Sequence, residues 1–366
     1  MARKLKSDRV LFIATILLVG LSVVMVYSAS AVMMMEKFQR PYLFLTKQAM
    51  WAVLGIVVLG VVMRFDYHHY KQPVLIWTCL GCVALGLVAV LFAPPVNHAR
   101  RWFAIGGLGI QPSELAKLAA IFFIADTLER RMHRINELNY ALVPIGVVVG
   151  GIVGLILLEP DFGTSMTLVL IAAVMIFAAG LNYRYIAGAA LCAAPAVAFL
   201  VMGTAYRRQR VLTFLDPWRD PLGAGFQVIQ SIIAVGTGGI WGKGLMNGVQ
   251  KLFYLPEPHT DFIYSVISEE LGLIGATAVV ICFAVIAWRG LRVALRAPDT
   301  FGAFLALGLT TMMAVQAFFN ISVALGLLPT KGIPLPFLSF GGSSLLINLL
   351  GMGILLNVSQ QSSSTA

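Results

Sequence analysis

Apolar stretches long enough to cross a membrane dominate the chain. They recur at residues 10–30, 45–63, 73–93, 114–128, 140–158, 165–181, 185–203, 262–288, 301–327 and 342–358. Most of them approach the roughly 20 residues that a helix needs to cross a hydrocarbon core about 30 Å thick. The pattern therefore predicts an all-α membrane protein, a polytopic bundle of about ten transmembrane helices within a single domain, residues 1–366.

One long, more polar segment, residues 204–261, separates the seventh stretch from the eighth. Inside it, Phe226, Ile229, Ile232 and Ile233 recur at helical spacing and are followed by several glycines. This predicts a helix that lies along the membrane surface or packs on the bundle. The chain is flanked by a basic N-terminal segment, 1–9, and by a Ser- and Gln-rich tail, 359–366, that we expect to be disordered.

Composition excludes the soluble classes. Of 366 residues, 59% are hydrophobic and 11% are charged, so a membrane protein is the only class that fits. The net charge of +10 suits anionic lipid headgroups. No soluble basic domain is available for nucleic acid, so we expect no such partner.

The distribution of Lys and Arg predicts the orientation. They are more frequent in the short connections on the side of both termini than in those on the opposite side, which predicts cytoplasmic termini and an outer 204–261 loop in a multi-pass membrane protein. Cations placed on the outer side, such as Arg101, Lys117 and Lys331, go against this preference. They indicate an anionic ligand there, and a lipid-linked phosphate is the simplest candidate.

The run Leu255-Pro256-Glu257-Pro258-His259-Thr260-Asp261-Phe262-Ile263 carries the strongest candidate chemistry, because it leads directly into an apolar helix. Asp261 can be a general base at the mouth of a cavity, or Thr260 or Asp261 can cap the helix that follows. The sequence leaves both readings open. His259 is an alternative base or a support for Asp261.

Other charged residues have similarly divided readings. Arg100 and Arg101 suit a pyrophosphate, or they extend to lipid headgroups. Glu114 and Lys117 share a helix face and should neutralise each other. Glu159 and Asp161 can hold a divalent ion, although a turn explains them better.

Three further groups complete the candidates. Arg210 opens the long loop, where it lines a groove for an acidic substrate or forms salt bridges. Lys331 is expected to point into a cavity. Glu269 and Glu270, one to two turns into a helix, are expected to form structural ion pairs with a neighbouring helix.

Taken together, these motifs resemble the SEDS family of membrane glycosyltransferases (shape, elongation, division and sporulation proteins). The resemblance spans nearly the whole chain and rests on Arg101-Trp102, on Gln111 to Lys117, on Glu159 to Thr164, on Asp220 to Gly223 with Gln227 and Gln230, on Leu255 to Ile263, on Glu269 to Gly272, and on Phe337 to Ser344. Asp216-Pro217-Trp218, Val249-Gln250-Lys251 and Leu328 to Gly332 are more similar to the division branch (FtsW), whereas Ile333 to Phe337 is closer to the elongation branch (RodA).

The resemblance implies that the chain polymerises peptidoglycan glycan strands from lipid II at the outer face of the bacterial cytoplasmic (inner) membrane. Asp261 matches the family's catalytic aspartate, with His259 as a support. The substrate or pyrophosphate set expected from the resemblance and from charge is Arg101, Lys117, Arg210, Lys243, Lys331, Glu114, Glu257, Gln227 and Ser343. A divalent cation, Mg or Mn, is a candidate cofactor, and no other is expected.

The same resemblance implies partners and leaves alternatives. A class B penicillin-binding transpeptidase, other division-complex proteins, membrane lipids, lipid II and the polyprenyl-linked glycan strand are the expected partners. A lipid II flippase, an elongation-type polymerase and a non-catalytic scaffold are the rivals. A flippase has no use for a general base, so Asp261 separates the first rival from a polymerase.

Overall fold

A computed structural model describes residues 7–95, 100–105, 108–203, 205–252 and 254–362. Within these residues the chain is built from helices α1 to α12. Their bounds are α1 Arg9–Phe38, α2 Leu43–Val62, α3 Pro73–Val90, α4 Pro112–Arg131, α5 Val143–Leu158, α6 Phe162–Ala178, α7 Tyr183–Met202, α8 Ala205–Leu215, α9 Phe226–Thr237, α10 Ile263–Leu295, α11 Thr300–Ala324 and α12 Gly342–Ser362.

The predicted bundle is confirmed. Each apolar stretch corresponds to one of the helices α1–α7 or α10–α12, and in the described residues seven of them are long and apolar enough to cross a membrane. Three others fall short of that criterion: α4 carries several charges, α6 is a shorter apolar helix, and α7 is not among the candidates. The amphipathic helix predicted near residue 226 is α9, and glycines follow it as expected.

Helices α4, α11 and α12 form the centre of the bundle. Most of their residues are buried, and α11 packs against α4, α6, α10 and α12. One end of the bundle carries the beginnings of α4, α6, α10 and α12, and we call it the site end. The opposite end carries Asp8, whose side chain accepts from the backbone N–H of Val10 and Leu11 and so caps α1.

The prediction of a disordered tail was wrong for residues 359–362, and residues 363–366 lie outside the described part of the chain. Residues 359–362 are not disordered: they continue α12, and the Ser359 hydroxyl accepts from the backbone N–H of Asp8 at 3.1 Å. The 204–261 segment contains the helix predicted in it, α9, and also α8, which was not predicted. In addition, the strands β1 (Phe103–Ile105) and β2 (Leu108–Ile110) pair antiparallel before α4, and no pattern had indicated them.

Helix α10 is interrupted at Gly272, where φ is 64° and ψ is −165°. A left-handed backbone of this kind favours glycine. A side chain here would also collide with the backbone of Ile240, since a Cβ added at Gly272 would lie 2.5 Å from its carbonyl oxygen. The interruption therefore makes room for the segment that follows α9, which packs directly against it.

The acids beside this interruption are neutralised by lysines of that segment. Glu270 is fully buried and pairs with Lys251, and the Ser28 hydroxyl of α1 donates to it at 2.7 Å. Glu269, also fully buried, pairs with Lys243 at 2.7 Å. The ion pairs expected for these acids are present, but the lysines come from the loop after α9 and not from a neighbouring helix.

Removal of Lys251 should destabilise the fold strongly. Lys251→Met leaves Glu270 charged and buried without its partner, a change that costs about 3–5 kcal/mol in buried pairs. We expect a large drop in the thermal unfolding temperature in detergent, and Glu270→Gln in the same chain should recover much of it. Arg134→Met, which breaks an exposed pair with Glu137, is the control. Equal effects of Lys251→Met and Arg134→Met would contradict the assignment.

Candidate active site

The turn that carries Asp261 is fixed by polar contacts from two elements, α11 and the segment before α12. The Asn320 amide of α11 donates to the main-chain oxygens of Asp261 and Ile333, each at 2.9 Å. The Ser339 hydroxyl donates to the oxygen of Thr260 at 2.6 Å, and the N–H of Phe340 donates to the oxygen of His259 at 2.9 Å. The segment before α10 and the segment before α12 are thereby held together as one rigid wall.

The structure separates the two readings of Asp261. The N-terminal cap of α10 is Phe262, and no side chain caps the helix. The Asp261 carboxylate instead lies beside Gly332, where an added Cβ would be 3.2 Å from Oδ2. It accepts no hydrogen bond from the described part of the chain. Capping therefore does not explain this residue, and its carboxylate is available for chemistry.

The surroundings of Asp261 disfavour its charged form. Burial raises the pKa of Asp261 to about 7, helped by the nearby Glu257 carboxylate and opposed by Arg210 and Arg101. A carboxyl with a pKa close to neutral is matched to accepting a proton at physiological pH. The same balance shows that both arginines lie close enough to act on Asp261 electrostatically.

Those arginines are held by backbone oxygens. Arg101 donates from Nε to the oxygen of Glu159 at 3.1 Å and from Nη2 to that of Pro160 at 2.6 Å. Arg210 of α8 donates from Nη1 to the oxygen of Thr330 at 2.8 Å. These contacts orient both guanidinium groups. Since a carbonyl does not cancel a full positive charge, the contacts of Arg101 leave charge for an anion.

Lys331 adds a third cation to this end of the bundle. Its Nζ lies 4.3 Å from the centre of the Phe162 ring and 3.2 Å from the sulfur of Met166. Burial lowers the pKa of Lys331 to about 8. An amine packed on a ring and a thioether is poorly hydrated, so a phosphate arriving beside it would be attracted strongly.

Two acidic residues, Glu159 and Asp161, lie in the turn that Arg101 contacts. Asp161 caps α6 by accepting from the backbone N–H and the hydroxyl of Thr164, and it accepts from Gln111 at 3.1 Å. The Glu159 side chain is fully buried, and neither carboxyl oxygen has a hydrogen-bond partner among the described residues. Burial and the proximity of Asp161 raise the pKa of Glu159 to about 8. Asp161 thus builds the turn, as the sequence favoured.

His259 is packed in an aromatic cluster. Its ring centre lies 4.8 Å from that of Phe44 and 5.7 Å from that of Phe340, and these two phenyl rings stack at 4.4 Å. Burial, with Lys37 nearby, lowers the pKa of His259 to about 4. A neutral, packed imidazole supports the turn that carries Asp261. The exposed Glu257 carboxylate lies 3.6 Å from its Nε2.

Several predicted site residues lie apart from Asp261. Lys117 is buried and pairs with Glu114 at 2.8 Å, as their spacing indicated, and it also donates to Gln316 at 3.0 Å. Gln316 is one turn from Asn320 on α11, so this pair lies about one helical turn deeper than the Asp261 turn. Lys243 lies beside Glu269 at the interruption of α10.

The remaining predicted residues are placed by their helices. Gln227 is half-buried in the first turn of α9, and Ser343 is buried in the first turn of α12, where its hydroxyl has no partner within the described ranges. Reasoning from sequence missed Asn320 and Gln316, and it included Ser339 in a family motif without giving it a role. Their one available signal was a polar side chain within or next to an apolar stretch, which also describes many residues that only pack.

Comparison with known proteins identifies the family. The sequence profile of the FtsW, RodA and SpoVE family, described as cell cycle protein, matches residues 8–364. The chain belongs to this family. The resemblance inferred from the motifs is thereby confirmed.

Relatives within the family cover almost the full length of the chain. A probable peptidoglycan glycosyltransferase FtsW from Geobacter sp. (strain M18) is 44% identical, with 96% of each chain covered. Stage V sporulation protein E of Bacillus subtilis (strain 168) is 42% identical, with 98% of this chain and 99% of that protein covered.

Solved structures of family members share the fold. A chain from a study of structural coordination of polymerization and crosslinking by a peptidoglycan synthase complex has a TM-score of 0.78 and 31% identity, with 97% of this chain and 98% of that chain covered. The rod shape determining protein RodA of Thermus thermophilus has a TM-score of 0.70 and 27% identity, with 96% of each chain covered.

Asp261→Asn should stabilise the protein in a pH-dependent manner. Because the folded pKa of about 7 is above the ordinary value, the folded state binds more protons than the unfolded state between about pH 4 and pH 7. The stability contributed by Asp261 therefore falls as pH rises through that window. We expect the Asn variant to unfold at a higher temperature than the parent at pH 8, with a smaller gain at pH 5.

Glu137→Gln, at an exposed pair on the opposite end, is the matched control and should show no such dependence. A destabilised Asn variant at pH 8, or a gain that is the same at both pH values, would contradict the placement of Asp261.

Proposed function

We propose that the chain is a peptidoglycan glycosyltransferase that polymerises lipid II into glycan strands, in which Asp261 is the general base. The observation that carries this proposal is a single arrangement: a partly buried carboxylate that caps no helix, with a pKa near neutral and with Arg101 and Arg210 near enough to lower that pKa. The names of the family's relatives support the same activity. Their FtsW and SpoVE names favour a role in septal or sporulation wall synthesis over elongation.

The reaction is a displacement at an anomeric carbon. The acceptor's sugar 4-hydroxyl oxygen attacks that carbon, the bond from the carbon to the pyrophosphate oxygen breaks, and Asp261 takes the hydroxyl proton. A sugar hydroxyl has a pKa far above neutral, so removal of its proton as it attacks is worth about 10²–10⁴-fold in rate. One displacement inverts an α-linked donor to a β-1,4 product.

The cations stabilise the negative charge of the pyrophosphate leaving group. Polyprenyl pyrophosphate carries its charge away and needs no acid, but it does need positive charge that is already in place. Arg101 and Arg210 are held by main-chain oxygens, so little reorganisation is required when the pyrophosphate arrives. Lys331 lies on the same segment as Thr330 and completes the set.

A divalent cation, Mg or Mn, stays a proposal. The described residues contain no group of three or more His, Cys, Asp or Glu side chains suited to a metal ion. Glu159 has free oxygens, but those of Asp161 are already committed to Thr164 and Gln111. An ion used in the reaction would therefore be held mainly by the pyrophosphate, which is common for Mg²⁺.

The orientation and the partner are parts of the same proposal. Both termini are cytoplasmic and the site end faces outward, where lipid II headgroups are used. A class B penicillin-binding transpeptidase is the expected partner, and the fold shared with a chain of a peptidoglycan synthase complex supports this. A flippase would share the cations, but it would not require a carboxylate tuned to neutral pH that caps no helix.

Asp261→Asn should abolish polymerisation while lipid II binding and folding are retained. The amide cannot accept the proton, so the loss should approach the full contribution of the base, at least about 100-fold. The measurement is glycan product from the purified protein with its transpeptidase, beside lipid II binding. In the unmodified protein the rate should rise with pH and level off above about pH 7, where Asp261 is ionised.

Normal polymerisation by Asp261→Asn would exclude a catalytic role for this residue. Proteoliposomes that translocate lipid II without polymerising it would favour the flippase instead.

Arg101→Gln and Lys331→Gln should weaken binding of the lipid-linked pyrophosphate more than they lower the unfolding temperature. Neither side chain forms an ion pair with a carboxylate in the described residues, so no buried acid is left unpaired. Lys117→Met is the contrasting variant, because it leaves Glu114 buried and unpaired and should lower stability strongly. If all three variants lose binding and stability in parallel, the assignment of Arg101 and Lys331 to pyrophosphate binding fails.

A further inference from the structure

The loop 239–252, which connects α9 to the Asp261 turn, completes the backbone hydrogen bonding of the interrupted helix α10. The N–H groups of Lys243 and Gly244 donate to the oxygens of Glu269 and Glu270, each at 3.0 Å. In return, the N–H of Leu273 donates to the oxygen of Gly239 at 2.8 Å. Within a membrane, non-helical backbone is tolerated only where neighbouring protein groups form hydrogen bonds with its N–H and C=O groups.

The depth of this loop in the membrane can be estimated from two sets of polar contacts between α1 and the rest of the chain, one near each end of the bundle. At the opposite end of the bundle, Arg289 pairs with Asp8 at 2.8 Å. Towards the site end, Ser28 donates to Glu270, which also pairs with Lys251. The two sets are about 20 residues apart on α1, or roughly 30 Å at about 1.5 Å per residue. This equals the thickness of a hydrocarbon core, so loop 239–252 lies at its site-side boundary.

Large apolar side chains of the loop point away from the protein at this level. Trp241 is 82% exposed and Ile240 is 60% exposed, and Leu245, Met246 and Val249 are exposed beside them. Leu273 of α10, 61% exposed, is joined to the loop by the Gly239 hydrogen bond. The loop therefore extends the lipid-facing surface of α10 without a break.

We propose that loop 239–252 is a membrane anchor that inserts Trp241 and its apolar neighbours among the acyl chains of the leaflet at the site end. The N–H groups of Lys243 and Gly244 are bonded to α10, and Lys243 and Lys251 are paired with Glu269 and Glu270, so insertion exposes neither lysine to lipid as an unpaired charge. Trp is the residue favoured at the boundary of the hydrocarbon core. The proposal adds a membrane-inserted part to the 204–261 segment, which the sequence predicts to be an outer loop.

The anchor also sets the height of the site. From Glu270 to the beginning of α10 at Ile263 is about seven residues, or roughly 10 Å of helix. Asp261 is therefore held about 10 Å above the hydrocarbon boundary, level with the headgroups of the leaflet. This consequence rests on the proposed function, whereas the insertion of the loop does not.

Spin-label accessibility in proteoliposomes tests the insertion. The four free cysteines, Cys79, Cys82, Cys192 and Cys282, are first replaced by alanine. A nitroxide is then attached at Trp241→Cys, at Leu273→Cys as the lipid reference, and at Leu222→Cys as the water reference, since Leu222 is 88% exposed in the segment before α9. We expect the label at 241 to collide with oxygen more than with a water-soluble nickel chelate, as at 273 and in contrast to 222.

A label at 241 that is as accessible to nickel as the label at 222 would overturn the proposal. Shielding from both reagents would also overturn it, because a second copy of the chain would then cover the loop. Intact protein gives an independent check. The fluorescence lost in Trp241→Phe should be the part that brominated acyl chains quench and that aqueous iodide does not. Quenching by iodide alone would count against insertion even if the labelled variants misfold.

Discussion

The two hydrogen bonds from the Asn320 amide to the main-chain oxygens of Asp261 and Ile333 are the constraint on which the site depends. They connect α11, one of the central helices of the bundle, to both irregular segments that form the site wall. Ser339 and Phe340 add bonds between those segments. A catalytic carboxylate must be held within a fraction of an ångström, and a loop achieves this only when packed side chains fix its backbone.

The same helix carries polar contacts deeper into the bundle. One turn below Asn320, Gln316 accepts from Lys117, which neutralises Glu114. These groups are buried, and each is costly to desolvate unless it is paired. A polar column inside an apolar bundle therefore gives α4 and α11 a defined register, and through Asn320 that register reaches Asp261.

The site is a region where the fold accepts a cost in stability. Asp261 and Glu159 have raised pKa values because burial disfavours their charged forms, and Lys331 has a lowered one for the same reason. Away from this end, the buried carboxylates Glu114, Glu269 and Glu270 of the described residues are each paired with a lysine. Unpaired, perturbed groups collected at one end and paired groups elsewhere are the pattern expected of an enzyme.

The sequence by itself determined the class of fold, the positions of the ten main helices, the family and the identity of the candidate base. Those features depend on residues that are contiguous in the chain, because the length of an apolar stretch and the residues of a continuous motif can be identified without knowing which distant residues they contact. The tertiary structure alone decided which charges are available. Lys243 looked equivalent to Arg101 and Lys331 in the sequence, yet it is paired with Glu269. The pairing of Lys117 with Glu114, in contrast, could be predicted from their spacing on one helix.

The interruption at Gly272 and the loop that fills it were likewise invisible in the sequence, since a single glycine in an apolar helix is common and has many causes. The physical reason is the same in both cases. A charge or a backbone group is satisfied by whatever packing places beside it, and its neighbours come from elements far away in the chain.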